Sequence, residues 1–199
     1  MAARTVPDDA PLEFQRALAA LREAQLRPEV VLSEAPAPQR IAPYSVALTA
    51  EVLNRHGIAP GADPEELANG RFVLLHDPSA PAPWGGTFRA VTFVRAELEP
   101  EMGIDPVLGA VGWAWLMDAL TDRQARFSHE GGTVTRVVAD SFAALADRGS
   151  AVSIEIRASW TPHDDDLAAH LLAWTDLLCT VGGLPPVPDG VSALPGRRT

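Results

Sequence analysis

The chain of 199 residues is 47% hydrophobic and 21% charged, and its 26 acidic residues against 16 basic ones leave a formal charge of -10. A chain of this length buries enough surface to fold without a disulfide or a metal, and its composition excludes disorder along the whole length. The negative balance argues against nucleic acid and anionic membrane as partners, since both repel an acidic surface.

Every basic residue is an arginine, which reads as the codon bias of a GC-rich genome before it reads as a choice for bidentate recognition. The opening "MAARTVPDDAPLEF" lacks the apolar core of a secretory signal, and residues 1–10 are expected to be a flexible N-terminus. Pro11 to Leu26 predicts an amphipathic helix, with Asp8 and Asp9 before it and Phe14, Ala17, Leu18 and Leu21 on one stripe. The proline-rich connector "SEAPAPQRIAP" ends any helix. In "YSVALTAEVL" Val46, Leu48, Ala50 and Val52 alternate with Ser45, Ala47, Thr49 and Glu51, the period of a strand. "HGIAPGADPEELANG" reads as a loop with one helical turn at Pro64 to Leu67, followed by "RFVLLH", a short buried strand. "DPSAPAPWGG" is turn chemistry, and the mostly apolar even positions from Phe88 to Leu98 complete a hairpin.

A helix from Asp105 to Leu120 carries "VGWAWLMDAL", and its uncharged run Val107 to Met117 falls short of the ~20 residues a bilayer span needs. On a helical wheel Leu108, Val111, Trp115 and Ala119 share one stripe, while Trp113, Leu116 and Leu120 fall nearly opposite. The first stripe is expected on the sheet, and the second beneath the tail, another helix or a second subunit. "GGTVTRVVADSF" and "AVSIEIRASW" form a further strand pair, the latter alternating in the manner of an antiparallel sheet wet on one face. Asp164 to Val181 predicts a last helix, with Leu167, Leu171, Trp174 and Leu178 in one stripe and Gly182 and Gly183 as its stop. The order helix, three strands, helix, two strands, helix predicts an α+β two-layer sandwich, a mainly antiparallel sheet of about five strands with helices on one face. Residues 11–183 form this single domain, and 184–199 a proline-rich tail.

The element order looks like that of the secretion-chaperone-like fold, whose small acidic members dimerise and bind partner segments; a shared fold does not fix a function. More locally, "RFVLLHDP", "GTFRAVTFVRAELEPEM", "DPVLGAVGWAWLMDAL" and "GGTVTRVVADSF" resemble an uncharacterised actinobacterial family, the domain of unknown function three thousand. The similarity runs from about Glu13 to Leu184 and implies a cytoplasmic bacterial protein, with no activity, ligand or catalytic residue attached.

Several constellations invite chemistry. His76 and Asp77 could be half of a general-base dyad, but neighbours in a strand point to opposite faces, and Asp77 before Pro78 suits a turn. His163, Asp164 to Asp166 and His170 suggest metal, yet their spacing fits no ligand motif and helix-initiating aspartates explain the cluster. Cys179, the one cysteine, lies among leucines, which suits a reduced cytoplasm rather than a reactive thiol. Gly131 and Gly132 after His129 and Glu130 could let amides face an anion, or serve as a flexible entry to a strand. Arg89 and Arg95 near Trp84 could hold a carboxylate; cross-strand pairing with acids such as Glu155 is the plainer account.

The expected function is a cytoplasmic protein-binding adaptor or chaperone-like module, acting on a protein partner or as a homodimer, without cofactor or metal. Trp84, Arg89, Arg95, Trp113, Leu116, Leu120 and His129 are its candidate ligand- or partner-binding residues. The rival is a small-molecule-binding protein or enzyme with a pocket near His76, Arg89, Arg95 and His129.

Overall fold

Along β4 (Phe88–Leu98) Phe88, Ala90, Thr92, Val94 and Ala96 are buried while Val91, Arg95 and Glu97 are exposed, so one face of the sheet is covered and the other is wet. The computed structural model describes residues 10–38, 40–55, 62–163 and 167–186. Its remaining strands are β1 (Val30–Ala35), β2 (Tyr44–Asn54), β3 (Glu65–His76), β5 (Phe127–Asp140) and β6 (Ser150–Pro162). They form one six-stranded sheet in the order β1-β2-β3-β4-β6-β5, antiparallel throughout. The helices α1 (Leu12–Glu23), α2 (Leu108–Asp122) and α3 (Leu167–Val181) pack on one face, and short 3-10 turns occupy 100–104 and 143–148. The α+β sandwich expected from the sequence is thus present with six strands in place of about five, in the order α-β-β-β-β-α-β-β-α.

The extra strand is β1, which falls between the expected first helix, ending in fact at Glu23, and the proline-rich connector. Six residues at a sheet edge give little periodicity, and proline just beyond such a strand costs no ladder hydrogen bond. β3 starts at Glu65, where a helical turn was expected, and passes straight through Asn69–Gly70. That pair looks like a turn but marks a close approach: a Cβ on Gly70 would lie 2.5 Å from Phe93 O and 3.0 Å from both Trp174 Cζ2 and Leu178 Cδ2.

α3 lies between α1 and α2 and is buried on nearly every side, through Leu167, His170, Leu171, Ala173, Trp174, Leu177, Leu178 and Val181. Arg123, just past α2, clamps it from outside through a bidentate pair with Asp176 at 2.5 and 3.0 Å. Trp160 Nε1 hydrogen-bonds His170 Nδ1 at 3.0 Å, so His170 belongs to the core and not to a cluster with His163. Leu184 packs on this core and Arg27 donates to Pro185 O at 2.9 Å, pinning the start of the tail. Asp8, Asp9, Asp164 to Asp166 and residues 187–199 lie outside the described residues.

The stripes of α2 differ from the wheel. Leu108, Gly112, Leu116, Ala119 and Leu120 are buried, whereas Trp113 and Trp115 are half-buried on either flank. Leu116 and Leu120 therefore form the seam to the core and not an outward face. The reason is Gly112, which hydropathy ignores: a Cβ there would sit 3.0 Å from Ile154 Cδ1 and 3.3 Å from Val134 Cγ1, so the helix touches the sheet at its glycine. Trp113 covers Gly132 of β5 in the same way, at 2.8 Å from a Cβ built there, which gives that glycine a packing role instead of a flexible one.

His76 is fully buried at the end of β3, among the rings of Phe14, Tyr44 and Phe88, where it helps seat α1. Neither ring nitrogen makes a hydrogen bond, although Glu13 Oε1 approaches Nε2 to 3.2 Å. Burial pushes its pKa below the ordinary 6.5, with the Glu13 carboxylate pulling weakly the other way. Among the described residues no helix is long and apolar enough to cross a membrane.

Two measurements check this packing. Leu116→Ala is expected to cost ~2 to 5 kcal/mol in urea unfolding, as for a buried leucine, and a loss under about 1 kcal/mol would place that side chain at the surface. The unfolded state binds a proton at His76 more readily than the native state, so stability present above pH 6.5 is lost as pH falls through that value toward the lowered native pKa. The wild-type midpoint should therefore drop more than that of His76→Leu between about pH 7.5 and about pH 5.5, and parallel profiles would contradict the assignment.

Candidate functional site

The face without helices is built from the odd positions of the strands. On its β2–β3 half Ala47, Val73 and Leu75 form a small apolar cluster, covered by Ala35, Ala37, Ala42 and Trp84. Its β4–β6–β5 half is open. Register aligns two transverse rows there: Arg71, Phe93, Arg157 and Thr133, then Val73, Val91, Ser159 and Gly131. With no side chain at Gly131 and Gly132, these rows enclose a concavity of about 390 Å³ whose floor includes Val91 and Phe93.

The charged residues lining it, Arg71 and Arg157, are both cationic. Arg71 Nη2 donates to Pro36 O from the covering segment. Arg157 lies with Cζ 5.1 Å from the Phe93 ring centroid and Nη2 2.8 Å from Glu155 Oε2, its side chain still 58% exposed. A guanidinium stacked on an aromatic ring and open to water is poised for a planar anion.

Beyond Ser159 the same face becomes polar. Arg89 donates through Nη1 to His129 O at 2.8 Å and Thr161 Oγ1 at 3.0 Å, and through Nη2 to Ser159 Oγ at 2.7 Å. Burial pushes its pKa below the ordinary arginine value, and among the described residues no carboxylate hydrogen-bonds it. Thr161 Oγ1 in turn donates to Trp84 O at 2.5 Å, tying the β3–β4 loop to β6. The strand β5 bulges between Ser128 and Gly131, with His129 at φ 53° and its ring packed under Gly85, itself at φ 68°. Ser128 Oγ lies 2.8 Å from His129 Nδ1 and 2.6 Å from His163 Nε2.

Of the residues singled out in sequence, Trp84, Arg89 and His129 meet at this end of the sheet. Arg95 shares their face but stands six positions along β4, opposite Asn69 and Glu155, and six strand residues span about 20 Å. His76 lies on the helix side, and Leu116 and Leu120 are in the core, so the four-residue pocket near His76, Arg89, Arg95 and His129 does not assemble. Arg95 does face an acid across the ladder, whereas Arg89 is held by hydroxyls and a carbonyl, so acid pairing does not explain both arginines. Phe93 and Arg157 had one readable signal, an aromatic ring and a cation on the alternation's wet side; Ser128 had none and His163 stood out only beside the aspartates, because only the bulged β5–β6 register joins the two.

Among the described residues no three His, Cys, Asp or Glu side chains cluster as metal ligands do. Cys179 is buried, and that burial pushes its thiol up to about 11, which leaves it a poor nucleophile. No curated protein and no solved structure matches the chain. Over residues 10–192 it matches the family described as protein of unknown function, DUF3000, and the chain belongs to that family.

Proposed function

We propose that the chain is a protein-binding module, an adaptor or chaperone of the cytoplasm, whose helix-free sheet face takes an extended apolar and acidic segment of a partner. The observation that carries this reading is the open concavity over Val91 and Phe93, whose charged lining is arginine alone in a chain of net charge -10. An extended segment presents alternate side chains to one side, spaced about 7 Å apart, which matches the spacing of successive transverse rows. Apolar residues of the guest would cover Val91 and Phe93 while its carboxylates meet Arg71 and Arg157. Val91 at 38% exposure on a central strand is the kind of surface that association buries.

A synthetic peptide array separates this reading from its rivals. Ten-residue peptides alternating apolar residues with Asp or Glu should bind the purified chain, and matched arrays with Lys or Arg should not. Arg71→Glu with Arg157→Glu should weaken that binding by about tenfold or more, roughly 1.4 kcal/mol, while urea unfolding stays near wild type. Preference for the basic array, or no preference, would overturn the proposal. Sedimentation showing a dimer that Phe93→Glu dissociates would assign the face to a second copy of the chain.

A further inference from the structure

The cluster at the end of that face carries chemistry the groove does not need. Ser128 Oγ lies within hydrogen-bond distance of two imidazoles, His163 Nε2 at 2.6 Å and His129 Nδ1 at 2.8 Å. A serine hydroxyl has one proton, so both contacts are hydrogen bonds only if one imidazole accepts from Oγ and the other donates to it. With His163 as the acceptor, its Nε2 being the nearer nitrogen, the donating N–H falls to His129 Nδ1. That is a nucleophile with a base on one side and, on the other, an N–H that holds its oxygen in place.

The setting is built and open to solvent. His129 and His163 are exposed and Ser128 is half-buried, so a small molecule can reach the hydroxyl. His129 is kept in a left-handed conformation at the bulge, roofed by Gly85, where any Cβ would collide with its ring. Strain of this kind persists only where the surroundings impose it, and here it aims the imidazole at Ser128. Arg89 holds the His129 carbonyl, and since its hydrogen-bond partners among the described residues are neutral, it brings a cation beside the serine. Ser159, bonded to Arg89, borders the concavity, so an apolar group could lie over Val91 while its reactive end reaches Ser128.

The geometry points to Ser128 as the nucleophile of an acyl-transfer site for carboxylic esters with a short apolar acyl chain, His163 being its general base and His129 its hydrogen-bond donor. Oγ attacks the ester carbonyl while its proton passes to His163 Nε2. The C–O bond to the alcohol then breaks, and that proton leaves with the alcohol. Water follows: His163 takes its proton, the new hydroxyl joins the acyl carbon, the Oγ–C bond breaks and the proton returns to Ser128. The reacting groups lie beyond the peptide groove and share with it only the apolar floor at Val91, and the test does not depend on the arginines that line the concavity.

A fluorophosphonate reporter with an alkyl chain is the probe, since attack at phosphorus expels fluoride and leaves a stable Oγ–P bond. Peptide mapping of the full-length chain should find the label on Ser128, well above that on exposed Ser79, and lost in Ser128→Ala. His163→Gln should slow both labelling and p-nitrophenyl butyrate hydrolysis by ~100-fold, the low end of a general base's contribution, with urea unfolding unchanged. The Arg71→Glu, Arg157→Glu variant should label at the wild-type rate, so loss of peptide binding and loss of labelling are separate failures. Labelling of Ser128 no faster than Ser79, or labelling indifferent to His163, would overturn the assignment.

Discussion

The contact on which the rest of the fold depends is the seating of α3 on the sheet at Gly70. Trp174 and Leu178 come within 3.0 Å of where a side chain would begin, and Phe72, Trp160 and Trp174 interlock around that point with centroids 5.6 to 6.5 Å apart. A helix whose buried residues include Leu167, Leu171, Ala173, Trp174, Leu177 and Cys179 has no side to give to water, so α1 and α2 must flank it. Three helices side by side then fill one face, and nothing in the described chain remains to cover the whole of the other. The exposed face and its concavity follow from how deeply one helix is buried. Trp174 Nε1 records the cost, a buried donor without a hydrogen bond.

The sequence was readable where one face of an element is wet. β4, and β6 between Ile154 and Trp160, alternate because their odd positions are the less buried ones, and their assignment as antiparallel strands needed nothing else. Reading failed where the decisive residue was a glycine. Gly70 made a strand look like a turn, Gly112 hid the centre of the α2 seam, and Gly132 looked like slack. In each case hydropathy scores the absence of a side chain as nothing, while the fold uses it as the point of nearest approach. With Gly112 unseen, the wheel was rotated toward its tryptophans, and Leu116 and Leu120 were assigned to the wrong side.

The polar end of the face was half readable for a related reason. Arg89, Trp84 and His129 were recognisable as unusual residues near turns, but their partners are remote: Thr161 is 77 residues from Trp84, and His163 is 35 from Ser128. The bulge shifts the β5 ladder there, so counting alternate positions from Gly131 back to Ser128 gives the wrong face. Register errors of one residue exchange the two sides of a strand, which is why Ser128 attracted no notice beside its more conspicuous neighbour.

Arg89 links the two halves of the face. In a chain with 26 acidic residues a partly buried guanidinium would be expected to find a carboxylate, yet its partners are two hydroxyls and one carbonyl. Neutral acceptors satisfy its geometry without cancelling its charge, and arginine stays protonated at neutral pH despite the desolvation. Its charge therefore stands close to the Ser128 cluster, separate from the cations of Arg71 and Arg157 that line the concavity. A carboxylate in place of Ser159 or Thr161 would stabilise Arg89 locally and cancel that charge. The fold forgoes the stronger local pair at this point and keeps a cation beside the Ser128 hydroxyl, which favours a carbonyl-bearing guest at that end of the face.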